Sequence, residues 1–149
     1  MKEKLNPMPL DEFLVVCQEA KNNFFFLNDF GMKLVREELP ASNCFKDGFR
    51  LVYSGTPVSV DVEYYDCEFM IFFKRGEEKI PYLFIDHYLF SNQSGYAGVM
   101  FAREKVKGVI LKTSADVQNN YTSILRGDDD VWRKITALYH APVAKKGLP

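Results

Sequence analysis

A single α+β domain covering residues 1–149 is predicted by three features of the chain. Apolar residues near the N-terminus recur at three- and four-residue steps. The middle section is built of short alternating segments parted by Gly, Pro and Asp, and the last third returns to a helical period. The architecture read from this order is an N-terminal helix, a four-stranded antiparallel meander, and C-terminal helices packed on one sheet face.

The first helix is predicted over residues 6–27, where Leu10, Phe13, Leu14, Cys17, Ala20, Phe24 and Leu27 form an apolar stripe. Asn6 with Pro7, or alternatively Pro9, suits its start, Asp11 and Glu12 suit the positive end of its dipole, and Gly31 suits its stop. Strands follow at 32–38, 49–53, 58–65 and 68–74, joined by connections short enough for antiparallel neighbours. The run from Lys74 to Lys79 is polar and contains Gly76, so it reads as a turn. Residues 81–90 read as extended, turning helical around Asp86, and 91–98 as a surface loop.

Val106, Val109 and Ile110 predict one further helix, which Gly108 weakens. A second is predicted from Thr113 or Ser114, with Asp116 as the capping-box partner of Thr113 and with Val117, Tyr121, Ile124 and Leu125 facing inward. It stops at Arg126-Gly127. Asp128 then caps a third helix carrying Val131, Trp132, Ile135, Leu138 and Tyr139, with Asp129 and Asp130 in its first turn. Trp132, at helical spacing, reads as core.

A 47% hydrophobic and 26% charged composition excludes a disordered or fibrous chain. A net charge of −1 lacks the basic excess that binding a phosphate backbone requires, so no direct nucleic-acid partner is expected. The N-terminal residues are charged and broken by Pro7 and Pro9, with no long apolar run after them. Neither a secretory signal nor a membrane span is expected, and the location expected is cytoplasmic. Cys17, Cys44 and Cys67 are odd in number and widely spaced, which suits reduced, buried thiols and no zinc site.

The chemistry-bearing residues concentrate in VSVDVEYYDCEFMIFF, residues 58–73. Val58, Val60, Val62 and Tyr64 alternate with Ser59, Asp61, Glu63 and Tyr65, as on a strand. Asp61, Glu63, Asp66 and Glu68 lie between Leu51 and Phe73 with no Lys or Arg among them. One reading is a solvated outer face. Another is an acidic, Tyr-bearing surface for a basic protein partner, formed by Asp61, Glu63, Tyr65, Asp66 and Glu68. On the latter, charge reversal at Asp61 and Glu63 is expected to leave the fold intact and to weaken partner binding. A third is a metal-dependent hydrolase or nuclease, since Asp61 and Glu63 precede the Glu-x-Lys formed by Glu77 and Lys79. In that reading Lys79 sits in an exposed turn. A fourth is a structural or accessory subunit that pairs through an open sheet edge.

Of the two histidines, His140 closes a helix, where a cation complements the dipole, and His87 reads as structural. No nucleophile elbow, phosphate-binding Gly loop or H-E-x-x-H is present. The reading is therefore non-enzymatic and without a cofactor.

Four stretches taken together carry a family resemblance: residues 24–32, FFFLNDFGM; residues 51–55, LVYSG; residues 58–66, VSVDVEYYD; and Ile124-Leu125-Arg126-Gly127-Asp128 with Trp132. This pattern resembles small bacterial α+β proteins that are similar to immunity proteins of polymorphic toxin systems. The resemblance implies a protein that binds and neutralises a cognate toxin, and it implies no particular contact residue.

Overall fold

The computed structural model describes residues 8–39, 48–65, 67–89 and 101–142. Asn6, Pro7, Cys44, Asp66, the 91–98 loop and most of the connection at 40–48 lie outside them. The described elements are helix α1 (Leu10–Asn23), strands β1 (Lys33–Glu38), β2 (Gly48–Ser54), β3 (Ser59–Tyr65), β4 (Glu68–Arg75) and β5 (Glu78–Pro81), and helices α2 (Tyr82–Leu89), α3 (Val106–Asn120), α4 (Thr122–Leu125) and α5 (Asp129–His140). The class is α+β, as predicted. No described helix is long and apolar enough to cross a membrane.

Helix α1 starts after Pro9, whose carbonyl accepts the Glu12 and Phe13 amides at 3.1 Å. Phe13, Val16, Cys17 and Ala20 form its buried stripe. The α-helix stops earlier than predicted, at Asn23, because the chain tightens into a 3-10 segment, Phe25–Phe30. That segment buries Phe26 and Leu27 and ends at Gly31 with φ 78°, the left-handed stop expected of Gly.

The sheet is a simple antiparallel meander in the order β1-β2-β3-β4-β5. It has five strands where four were predicted. The Lys74–Lys79 run is not all turn. Only Gly76 and Glu77 reverse the chain, with Gly76 at φ 60°, and Arg75 already pairs with Glu78. A two-residue hairpin with Gly first satisfies strand twist. The strand that follows is too short and too polar for its alternation to stand out.

Helix α3 also corrects the prediction. It runs unbroken through Gly108 and Thr113, because Val106, Val109, Ile110, Thr113 and Val117 form one continuous buried stripe. Burying those side chains outweighs the ~1 kcal/mol helix penalty of Gly108. Helix α5 begins as predicted: the Asp128 carboxylate accepts the Val131 amide at 3.0 Å. Trp132 is core, and its Nε1–H donates to the Ile124 carbonyl at 2.9 Å. At Gly127, φ is 73° and an added Cβ would lie 2.3 Å from Pro57, so only Gly lets this junction close on the β2–β3 turn.

The core lies between one sheet face and the helices. Phe49, Leu51, Tyr53, Val60, Val62, Tyr64, Phe69, Ile71 and Phe73 face it from the sheet. Phe73, Tyr121 and Tyr82 stack in sequence at 5.4 and 5.3 Å, tying β4 to α2 and the end of α3. Arg75 pairs with Asp129, and Glu78 Oε2 meets the His140 ring at 2.7 Å, so α5 is held to the β4–β5 hairpin. The edge strand β1 carries a bulge between Leu34 and Arg36 and four charged residues, both features that oppose edge pairing.

Cys17 is a buried free thiol, and Cys67 is buried as well. Burial pushes the Cys17 thiol from its ordinary value of 9.0 up to about 11, with Glu37 adding to the rise and Lys21 opposing it. A raised acid favours the folded state below the unfolded value and ceases to do so as pH climbs through the folded one. We predict that native stability, measured by urea denaturation, falls more steeply between pH 9 and 11 than that of Cys17→Ala. The difference should reach about 1–3 kcal/mol across the window. Parallel declines would show that Cys17 is not the titrating group.

Candidate functional site

Strand β3 is the middle strand, and cross-strand register decides what its polar residues meet. Glu63 lies opposite Arg50 on β2 and Met70 on β4. Arg50 in turn lies opposite Glu38 on β1, so Glu38, Arg50 and Glu63 form a row of alternating charge. Asp61 lies between Val52 and Phe72, with Lys74 and Lys79 paired one step further along.

The ion pairs follow this register. Lys74 Nζ is 2.7 Å from Asp61 Oδ1, and Lys79 Nζ lies 3.7 Å from Asp61 Oδ2 and 3.8 Å from Glu63 Oε2. Arg50 reaches Glu63 at 3.5 Å and Glu38 at 3.4 Å, and Arg36 reaches Glu38 at 3.4 Å. The Tyr65 hydroxyl donates to Glu63 Oε1 at 3.2 Å. Burial first, and then the negative charge of Glu63 and the hydrogen bond to it, hold the Tyr65 phenol above its ordinary range.

Asp61 and Glu63 are each only 4% exposed. The expectation of a solvated acidic face is corrected by this: the carboxylates are roofed by the side chains of Arg50, Lys74 and Lys79. The surface left outside is cationic, with the Arg36 side chain 66% and that of Lys79 43% exposed. Glu68 is half-buried opposite Tyr65 at the hairpin end. Asp66 lies outside the described residues.

Lys79 is the second correction. It extends from β5, not from a mobile turn, and comes close to both Asp61 and Glu63. The three residues of the hydrolase reading therefore converge. Lys74 lies against Asp61, and Glu63 is shared by Arg50, Lys79 and the Tyr65 hydroxyl, and no group of three or more His, Cys, Asp or Glu among the described residues is placed to hold a metal ion.

Beside this lattice lies an apolar cavity of about 480 Å³ that the sequence reading did not anticipate. Its walls include Met70 and Phe72 from β4, Phe84, His87 and Tyr88 from α2, and Tyr139 from α5. Lys79 Nζ sits 4.5 Å above the Phe72 ring, so the charged and apolar halves of the face share a wall. The signal in the sequence is the i, i+4 pair Phe84 and Tyr88 in an aromatic-rich stretch, together with Met70 and Phe72 two residues apart on one face of a strand. His87 is exposed at this cavity, edge-on to Tyr88 at 4.7 Å.

Comparison with known proteins finds no matching family, no matching curated protein and no matching solved structure.

The burial separates two kinds of substitution. Asp61→Lys places a third cation against Lys74 and Lys79, and we predict a cost of about 3–5 kcal/mol, the range for breaking a buried pair. Lys79→Gln removes a half-exposed cation and should cost under about 1 kcal/mol. Urea denaturation of both variants checks this, and equal costs would show that Asp61 does not depend on its pairs.

Proposed function

We propose that the protein is a non-enzymatic binding protein that contacts another protein through the outer face of its sheet. Following the family resemblance, it neutralises a toxin by occupying the toxin's surface. The observation that carries this reading is the outer face itself. It points away from α1 and α3 and holds its charges in a fixed lattice. It also leaves Val52, Met70 and Phe72 half-exposed among those charges. Rigid apolar positions ringed by oriented charge suit recognition, where complementarity steers encounter and ordering costs are already met. Because the carboxylates are covered and Arg36 and Lys79 are not, the complementary patch is acidic, in place of the basic partner expected from sequence.

Co-expression with a toxin encoded beside this chain's own reading frame is the direct test. The chain should restore growth, and Arg36→Glu combined with Lys79→Gln should lose that rescue while leaving the melting temperature within a few degrees. Binding to the purified toxin should fall at least about tenfold in the double variant. Full rescue by the double variant would remove this face from the interface.

A second reading, a metal-dependent hydrolase, is favoured by one observation: Asp61, Glu63 and Lys79 meet on one face. A site of that kind would raise the melting temperature in Mg²⁺, Mn²⁺ or Ca²⁺ by binding the folded state alone. We predict no such rise, because a divalent ion would have to displace an ammonium group already 2.7 Å from Asp61.

A further inference from the structure

The cavity between β4 and α2 shares Met70 and Phe72 with the face proposed for protein contact and lies beside Lys79, but its walls from α2 and α5 are its own and its assignment needs no partner protein. Its volume of about 480 Å³ falls in the range of small-molecule sites, which are mostly apolar with a few placed polar groups. The aromatic walls are braced against one another: Phe84 lies 4.5 Å from Tyr88 and 4.9 Å, edge-on, from Tyr139. Flat, mutually supported rings of this kind favour a planar guest that stacks or meets them edge-on.

One polar feature sets the guest's chemistry. Lys79 is stacked on the Phe72 wall at 4.5 Å, with the His87 ring exposed at the same cavity. The neighbouring carboxylates, Asp61 and Glu63, are already shared among Arg50, Lys74 and Lys79. Glu68 lies at the far hairpin end, where its charge acts on Tyr65. A cation at the wall favours a guest that carries negative charge.

We propose that this cavity binds a small planar aromatic molecule bearing an anionic group, its ring between Phe72, Phe84 and Tyr88 and its anion toward Lys79.

The test uses the full chain with ¹³C-labelled methionine methyls. Met70 lines the cavity, and Met32, fully buried elsewhere, is the control. Three probes of one ring system and different charge are titrated: indole-3-acetate, indole and tryptamine. Indole-3-acetate should move the Met70 methyl saturably, leave Met32 in place, and bind at least about threefold tighter than indole. Tryptamine should bind weakest. Lys79→Gln should bring indole-3-acetate down to the affinity of indole while the fold is retained.

No movement of Met70 with any probe up to roughly 10 mM overturns the site. Equal affinity for indole and indole-3-acetate overturns the anion assignment and marks a socket for a partner's aromatic side chain. Tightest binding by tryptamine reverses the charge assigned, and an anion preference that survives Lys79→Gln overturns the role of that lysine.

Discussion

Strand β3 is buried on both faces, and the two faces are satisfied by different physics. Val60, Val62 and Tyr64 enter the hydrocarbon core, while Asp61 and Glu63 on the opposite side are almost as inaccessible. A carboxylate taken out of water costs several kcal/mol unless cations and hydrogen bonds replace its hydration. Lys74, Lys79, Arg50 and the Tyr65 hydroxyl provide that replacement, and the three cations come from both neighbouring strands and from β5. The central strand is therefore tolerable only inside the complete sheet. A one-residue slip of β3 would turn both carboxylates into the core and Val60 and Val62 into the lattice. Register is specified twice, once by apolar burial and once by charge.

The same constraint shapes the β5 end. Lys79 reaches Asp61 and Glu63 because the Gly76–Glu77 turn is only two residues long and sets Lys79 directly opposite Lys74. Two like charges side by side are stable here because both face the same carboxylate. The lysine stem lies across Phe72, an amphipathic arrangement that covers apolar surface while its head pairs. After Pro81 the chain turns at once into α2. Tyr82 stacks on Tyr121 and donates to Asp116, fixing where that helix stands. The position of α2 then brings Phe84 and Tyr88 over Met70 and Phe72. The cavity is thus the space between a wall set by the ionic lattice and a helix set by the aromatic stack.

Much of the fold was legible because local chemistry and global packing agreed. Gly31 stopped the first helical segment, Asp128 capped α5, and the alternation from Val58 to Tyr65 marked the central strand. The misses occurred where packing overrode a local cue. Gly108 and the Thr113–Asp116 spacing argued for a break that the continuous stripe from Val106 to Val117 removed. Glu78 to Pro81 is too short to show a period. The site was misread for a related reason. No Lys or Arg lies between Leu51 and Phe73, so the stretch looked uniformly acidic. Yet Arg50 and Lys74 stand just outside its ends, and an antiparallel meander folds such flanking residues back across the centre. Linear charge density says little about a sheet until register is known.

What the face offers another molecule follows from that compensation. An isolated pair of carboxylates would present open lone pairs to a metal ion, a proton or a basic surface. Here ammonium and guanidinium groups lie against them, one at 2.7 Å, and any competing ligand must displace those cations. The cations are in a different position. Each keeps part of its surface in water, and Arg36 keeps most of it. Their outward donors are oriented by the pairing beneath, so less side-chain entropy remains to be lost when an acceptor arrives. Buried carboxylates of this kind act as positioning groups for the lysines and arginines above them. The spacing of those cations around Phe72 and Val52 then fixes which acceptor groups they can meet together.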